Sequence, residues 1–133
     1  MAASYDLAGS TALVTGAAGD IGRTVAVRLA GSGAAVILTD LDRAAEGLER
    51  TRAECVSAGD ESRAMVVPAD VTDAASVTAC FEAASERIGT PDLVFNNAGV
   101  QGELLPLQDY PVDDFAFVMD VNVNGIFHVL LEA

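Results

Sequence analysis

Short, nearly uninterrupted apolar runs alternate along the chain with longer stretches in which apolar residues recur every three or four positions. The first run, Thr11-Ala12-Leu13-Val14-Thr15, carries so little polarity that it predicts a strand buried on both faces. From Asp20 to about Ser32, Ile21, Val25 and Leu29 repeat at helical spacing until Gly31 and Gly33 stop the helix. The same order then recurs. Ala35-Val36-Ile37-Leu38-Thr39 predicts a second strand ending at Asp40, and residues 42 to about 58 predict a charged surface helix closed by Gly59. A third strand over 64–67 runs into Pro68, which removes a ladder donor. Thr72 is the expected N-cap of a helix from Asp73 to about Ile88, with Val77, Phe81 and Ala84 on its inner face. Gly89 and Pro91 break that helix, Asp92-Leu93-Val94-Phe95 make a fourth strand, and residues 98 to about 111 read as a polar loop. From Val112 a long helix follows, with Phe115, Val118, Met119, Val121, Ile126 and Val129 on its apolar side.

Strands joined through helices pair in parallel with right-handed crossovers. Four such alternations predict one doubly wound α/β domain of the Rossmann type over residues 1–133, long enough to bury a core. Ligands of such sheets bind at the carboxyl ends of the strands. The first of those ends carries Thr15-Gly16-Ala17-Ala18-Gly19-Asp20-Ile21-Gly22. A strand, a glycine-rich turn and a helix start bring unpaired N–H groups and the positive end of a helix dipole to one point, where a pyrophosphate can sit. The same glycines could serve only a tight turn, so the loop gains meaning from its surroundings.

Composition narrows the chemistry. The net charge is −13, with seven cationic residues, all of them arginine, and such a surface repels nucleic acid and anionic membranes. Cys55 and Cys80 have no metal-ligand or redox spacing, and with His128 as the sole histidine no zinc site is expected. Residues 1–6 lack the basic region and long apolar core of a signal peptide, and no apolar run approaches membrane-spanning length. A cytoplasmic protein is the expectation.

Asp40 ends the second strand 18 positions beyond Gly22, near the spacing at which an acid accepts hydrogen bonds from a ribose 2′-OH. Its charge repels a 2′-phosphate and favours NAD over NADP, although Arg43 stands nearby. Alternatively Asp40 caps the segment that begins at Leu41. With Asn96-Asn97-Ala98-Gly99 after the fourth strand, Asp70-Val71 after the third, and Val121-Asn122-Val123-Asn124-Gly125 in the last helix, the chain resembles the short-chain dehydrogenase/reductase family over essentially its whole length.

The resemblance implies a hydride transfer between NAD and an alcohol or ketone, in an enzyme that forms homo-oligomers. It assigns Gly16, Gly19, Asp20, Ile21 and Gly22 to the pyrophosphate, Asp40 and Leu41 to the adenosine ribose, and Asp70 and Val71 to adenine. Asn97, Ala98 and Gly99 fall to the nicotinamide ribose, and Asn122 to a proton-relay water; Asn96 reads as a structural tie. Two departures stand out. Asp20 occupies a position usually held by glycine, and the G-x-x-G-x-x-G spacing also fits an extended branch containing sugar-nucleotide epimerases and dehydratases. Moreover, the family's catalytic tyrosine, the lysine four residues after it and a preceding serine would lie beyond Ala133. The sequence has only Tyr5 and Tyr110, followed four positions later by Asp114, and no lysine. The expectation is therefore an N-terminal portion that binds the cofactor, does not turn over by itself, and leaves one sheet edge and part of the last helix uncovered. The alternatives are a non-catalytic dinucleotide-binding module and half of an extended-branch sugar-nucleotide epimerase or dehydratase, although Asn96-Asn97-Ala98-Gly99 matches the compact branch.

Overall fold

All four apolar runs become strands in the computed structural model, which describes residues 5–59 and 63–133. Met1 to Ser4, the start of the stretch read for a targeting signal, lie outside the described residues. The strands are β1 (Thr11–Thr15), β2 (Ala35–Thr39), β3 (Ala64–Val66) and β4 (Leu93–Phe95), parallel throughout and ordered β3-β2-β1-β4. β1 and β2 are buried along their full length. The first three strands progress outward on one side of β1, and β4 then returns to its other side. That reversal opens a crevice between the carboxyl ends of β1 and β4.

On one face, α1 (Asp20–Gly31) and α2 (Ala45–Ala58) cover a core of Ala12, Val14, Val36 and Leu38 with Ala26, Ala30, Leu48 and Cys55. On the other, α3 (Ala74–Arg87) and the end of the last helix enclose Leu13 and Ile37 with Val77, Cys80, Phe81, Ala84 and Val129. A 3₁₀ turn over Asp42–Ala44 precedes α2, so the regular helix starts later than the charge pattern suggested.

Three local expectations are corrected. The buried face of α1 is Gly22, Ala26 and Ala30, one residue along from Ile21, Val25 and Leu29, and Ile21 is 68% exposed. Small side chains win that face because the helix start lies against the preceding loop: a Cβ on Gly22 would run into Gly16 O. Asp73, rather than Thr72, caps α3 by accepting from Ala75 N–H at 3.0 Å, because Thr72 is engaged with Asp70.

The third correction concerns the last helix. α4 (Val112–Met119), a π turn (Asp120–Asn124) and α5 (Gly125–Glu132) run continuously, and these 21 residues are long and apolar enough to cross a membrane by length and composition alone. The acids and asparagines within it break up any uninterrupted apolar run. The helix nevertheless lies on the domain: Val121 and Val129 are buried, and its expected apolar residues Phe115, Met119 and Ile126 are exposed. β4 is the edge strand on that side, with Leu93 and Phe95 each 37% exposed.

Candidate functional site

At the end of β1 the chain turns through Gly16 at φ +65°, a conformation that only glycine adopts without strain. There is a second demand on Gly16. A Cβ would stand 2.9 Å from Asn97 Nδ2 and 3.1 Å from Ala98 Cα, so the loop packs directly on the segment after β4. Gly19 then precedes α1 and offers no side-chain cap. The first helical hydrogen bond is Arg23 N–H to Gly19 O at 2.9 Å, which leaves the N–H groups of Asp20, Ile21 and Gly22 without an acceptor inside the helix. Three donors and the dipole's positive end together make an anion cradle.

Asp40, at the end of β2, is partly buried and tied down at both oxygens. Ala18 N–H donates to Oδ2 at 3.1 Å and Leu41 N–H to Oδ1 at 2.8 Å. It therefore links the glycine loop to the second strand, and each oxygen keeps a further lone pair for a hydroxyl donor. Asp70, beyond β3, forms an Asx turn in which Oδ1 accepts from Thr72 N–H and its hydroxyl, at 2.9 and 2.7 Å. Val71 is held from the last helix: His128 Nδ1 lies 2.7 Å from Val71 O, and a Cβ on Gly125 would stand 2.7 Å from Val71 Cγ2. Because the carbonyl can only accept, Nδ1 carries the proton.

The segment after β4 is organised by a residue that the sequence reading passed over. Thr15, 1% exposed, accepts at its hydroxyl from Asn97 N–H at 2.8 Å and Ala98 N–H at 2.9 Å. Asn97 returns the link through Nδ2, which donates to Thr15 O and Gly16 O at 3.1 and 3.4 Å. Asn96 behaves as the expected structural tie, donating to Ile126 O at 3.1 Å. Asn122, set on the π turn, spends both amide groups on one residue: Oδ1 accepts from Val100 N–H at 2.8 Å and Nδ2 donates to Val100 O at 2.7 Å. A Cβ on Gly99 would meet Asn122 Oδ1 at 3.1 Å.

These pieces enclose one cleft of about 750 Å³ at the strand crossover. Every residue expected to contact cofactor lines it: Gly16, Gly19, Asp20, Ile21, Gly22, Asp40, Leu41, Asp70, Val71, Asn97, Ala98 and Gly99. Asn122 stands behind the wall and reaches the cleft through Val100. Phe117 and Arg43 also line it; Phe117 lies off the apolar side inferred for the last helix, so periodicity gave no hint of it. The residues fit a dinucleotide. The free N–H groups at the start of α1 suit a diphosphate, the anchored Asp40 carboxylate suits a ribose hydroxyl, and the small residues Ala98 and Gly99 leave backbone open to the cleft. Among the described residues no cluster of histidine, cysteine or acids could hold a metal ion.

Tyr110 is no substitute for a catalytic tyrosine. Its hydroxyl donates to Asp114, and chiefly for that reason its pKa is raised above the usual 10.0, away from what a general base near neutrality needs. The pair packs against Gly102, at φ +74°, where a Cβ would strike the phenol oxygen. Burial, with Glu54 contributing, pushes the Cys55 thiol up to about 11, the condition of an inert core cysteine.

A doubly wound parallel sheet with a glycine-rich turn and an anchored acid at its crossover is the architecture of the Rossmann-type α/β class. The model of the short chain dehydrogenase family matches residues 10–133, and the chain belongs to that family. It is 37% identical over 115 residues to levodione reductase of Leifsonia aquatica, covering 86% of this chain and 42% of that one. NAD+-bound xylitol dehydrogenase superposes with a TM-score of 0.89 at 42% identity, over 95% of this chain and 47% of that one. A blue fluorescent protein from a metagenomic library, in complex with NADPH, gives 0.85 at 30% identity, over 96% and 51%. The chain thus spans about half the length of the relatives it matches.

Proposed function

We propose that this chain binds NAD in preference to NADP and forms the cofactor half of an oxidoreductase acting on a small alcohol or ketone. The carrying observation is Asp40, fixed by Ala18 and Leu41 N–H groups in the same cleft as the glycine loop. A carboxylate held there accepts from a 2′-hydroxyl and repels a 2′-phosphate. The glycine loop receives the pyrophosphate on the N–H groups of Asp20, Ile21 and Gly22, with Leu41 beside the adenosine ribose. Asp70 and Val71 border the adenine, and Asn97, Ala98 and Gly99 border the nicotinamide ribose. When bound, the cofactor supplies hydride donation or acceptance; the protein holds it and excludes water. Asn122 serves the proton relay from its place on the π turn, and because its amide is closed on Val100, a water it orders is ordered through its main chain.

The 133 residues alone are expected to bind without turning over. No lysine is available to lower a tyrosine pKa, and Tyr110 is shifted the wrong way. The second reading is a dinucleotide-binding module without chemistry. We place the protein in the cytoplasm and expect homo-oligomers. Titration of NADH and NADPH into the full chain, followed by fluorescence, tests the cofactor reading: NADH should bind at least about tenfold more tightly, given one repelled phosphate charge. Equal affinities would refute the preference. Turnover of an alcohol by residues 1–133 would refute their expected inactivity.

A further inference from the structure

Asp20 is the unusual member of the cradle. It stands at the first position of α1 and lines the cleft, with its side chain 91% exposed. Gly19 leaves the helix N-terminus uncapped, so a free carboxylate at position 20 has an obvious destination: the same N–H groups that a diphosphate would use. Instead it is drawn along the helix to Arg23, whose Nη2 donates to Asp20 Oδ1 at 3.3 Å. Arg23 is fixed in turn from the neighbouring helix. Its Nη1 reaches both oxygens of Glu54 on α2, at 3.2 and 3.0 Å. Glu54 is the stronger partner and Asp20 the next, and together they raise the guanidinium pKa. Arg23 is 30% and Glu54 40% exposed in their side chains, so this pair is the anchored end of the chain and Asp20 the loose one.

We propose that Arg23, braced by Glu54, is a positioning residue that withholds the Asp20 carboxylate from the anion cradle and so sets the affinity of the glycine loop for a diphosphate. This rests on reading the loop as the diphosphate site. With Arg23 in place, the acid is partly neutralised and turned toward the Arg23 guanidinium. Without it, a full negative charge is free to compete for the cradle and to repel whatever anion arrives.

The test is a titration of the full chain with NADH, ADP-ribose and adenosine, the last lacking a diphosphate, at low ionic strength. Arg23→Gln should weaken NADH and ADP-ribose by about tenfold, the scale of one poorly screened charge, and leave adenosine unchanged. High salt should shrink the deficit. Adding Asp20→Asn to Arg23→Gln should restore wild-type affinity, because the harmful charge is then gone. Glu54→Gln should give a smaller loss of the same pattern, and it tests the same link should Arg23→Gln fail to fold. Failure of Asp20→Asn to rescue, or an equal loss for adenosine, would overturn the proposal in favour of a purely structural salt bridge. Wild-type chain that binds neither NADH nor ADP-ribose would defeat the cofactor reading itself, and this proposal with it.

Discussion

α1 and the long helix α4–α5 meet the same sheet in opposite ways. α1 sinks toward β1 on Gly22, Ala26 and Ala30, and its large Ile21 faces outward into the cleft. The long helix touches the domain through Val121, Gly125 and Val129, while Phe115, Phe127, Leu130 and Leu131 remain more than half exposed. One helix is placed by the absence of side chains and the other by hydrogen bonds from Asn122 and His128. Precision in this fold therefore tracks where backbone packs on backbone, and it does not track where the most apolar surface lies.

The contrast can be broken most severely at Gly22. Gly22→Ala should cost about 3 kcal/mol, because the new methyl meets backbone that cannot rotate aside; urea unfolding would show it, and NADH affinity should fall with it. Thr15→Val should cost about 2 kcal/mol, since the Asn97 and Ala98 N–H groups lose their acceptor. An unchanged urea midpoint for that variant would mean that water replaces the hydroxyl. A weaker effect belongs to the half-buried Tyr110 and Asp114 pair. The Asp114 carboxyl lies below its ordinary 3.8, held first by the Tyr110 hydroxyl and then by Glu103 N–H. Its contribution is present above 3.8 and is lost as pH falls through the lower folded value. The Tyr110 phenol is raised, so its contribution is present below 10.0 and is lost as pH rises through the folded value. Accordingly, the stability difference between wild type and Tyr110→Phe should be flat between about pH 5 and 9 and shrink on both sides. Least of all, Leu130→Gln on the exposed helix face should change stability by less than about 0.5 kcal/mol, while sedimentation shows less self-association.

The strands were legible because a doubly buried strand has to be an apolar run. The face of α1 was not, since periodicity weighs Ile21 and Leu29 above glycine and alanine, whereas close approach selects the small residues. Thr72 and Asp73 are both good caps, and only the Asx turn at Asp70 decides between them. At the site, the glycine loop, Asp40, Asp70-Val71 and Asn96 to Gly99 could be read from spacing and resemblance, and the fold gathers them in one cleft. Thr15 was hidden, because a threonine at the end of an apolar run reads as a β-branched strand residue, and its partners lie 81–83 positions away. The bond between His128 and Val71 spans 57 positions and has no local signal at all.

That bond is one of four made at three points. Within seven residues the last helix bonds Val100 through Asn122, Asn96 through the Ile126 carbonyl, and Val71 through His128. The loops after β3 and β4 are thereby hinged on a single rigid rod. Either they open together when the rod tilts, or each must tear its own bond to move alone, so backbone amides in the two loops should exchange with solvent as one cooperative unit.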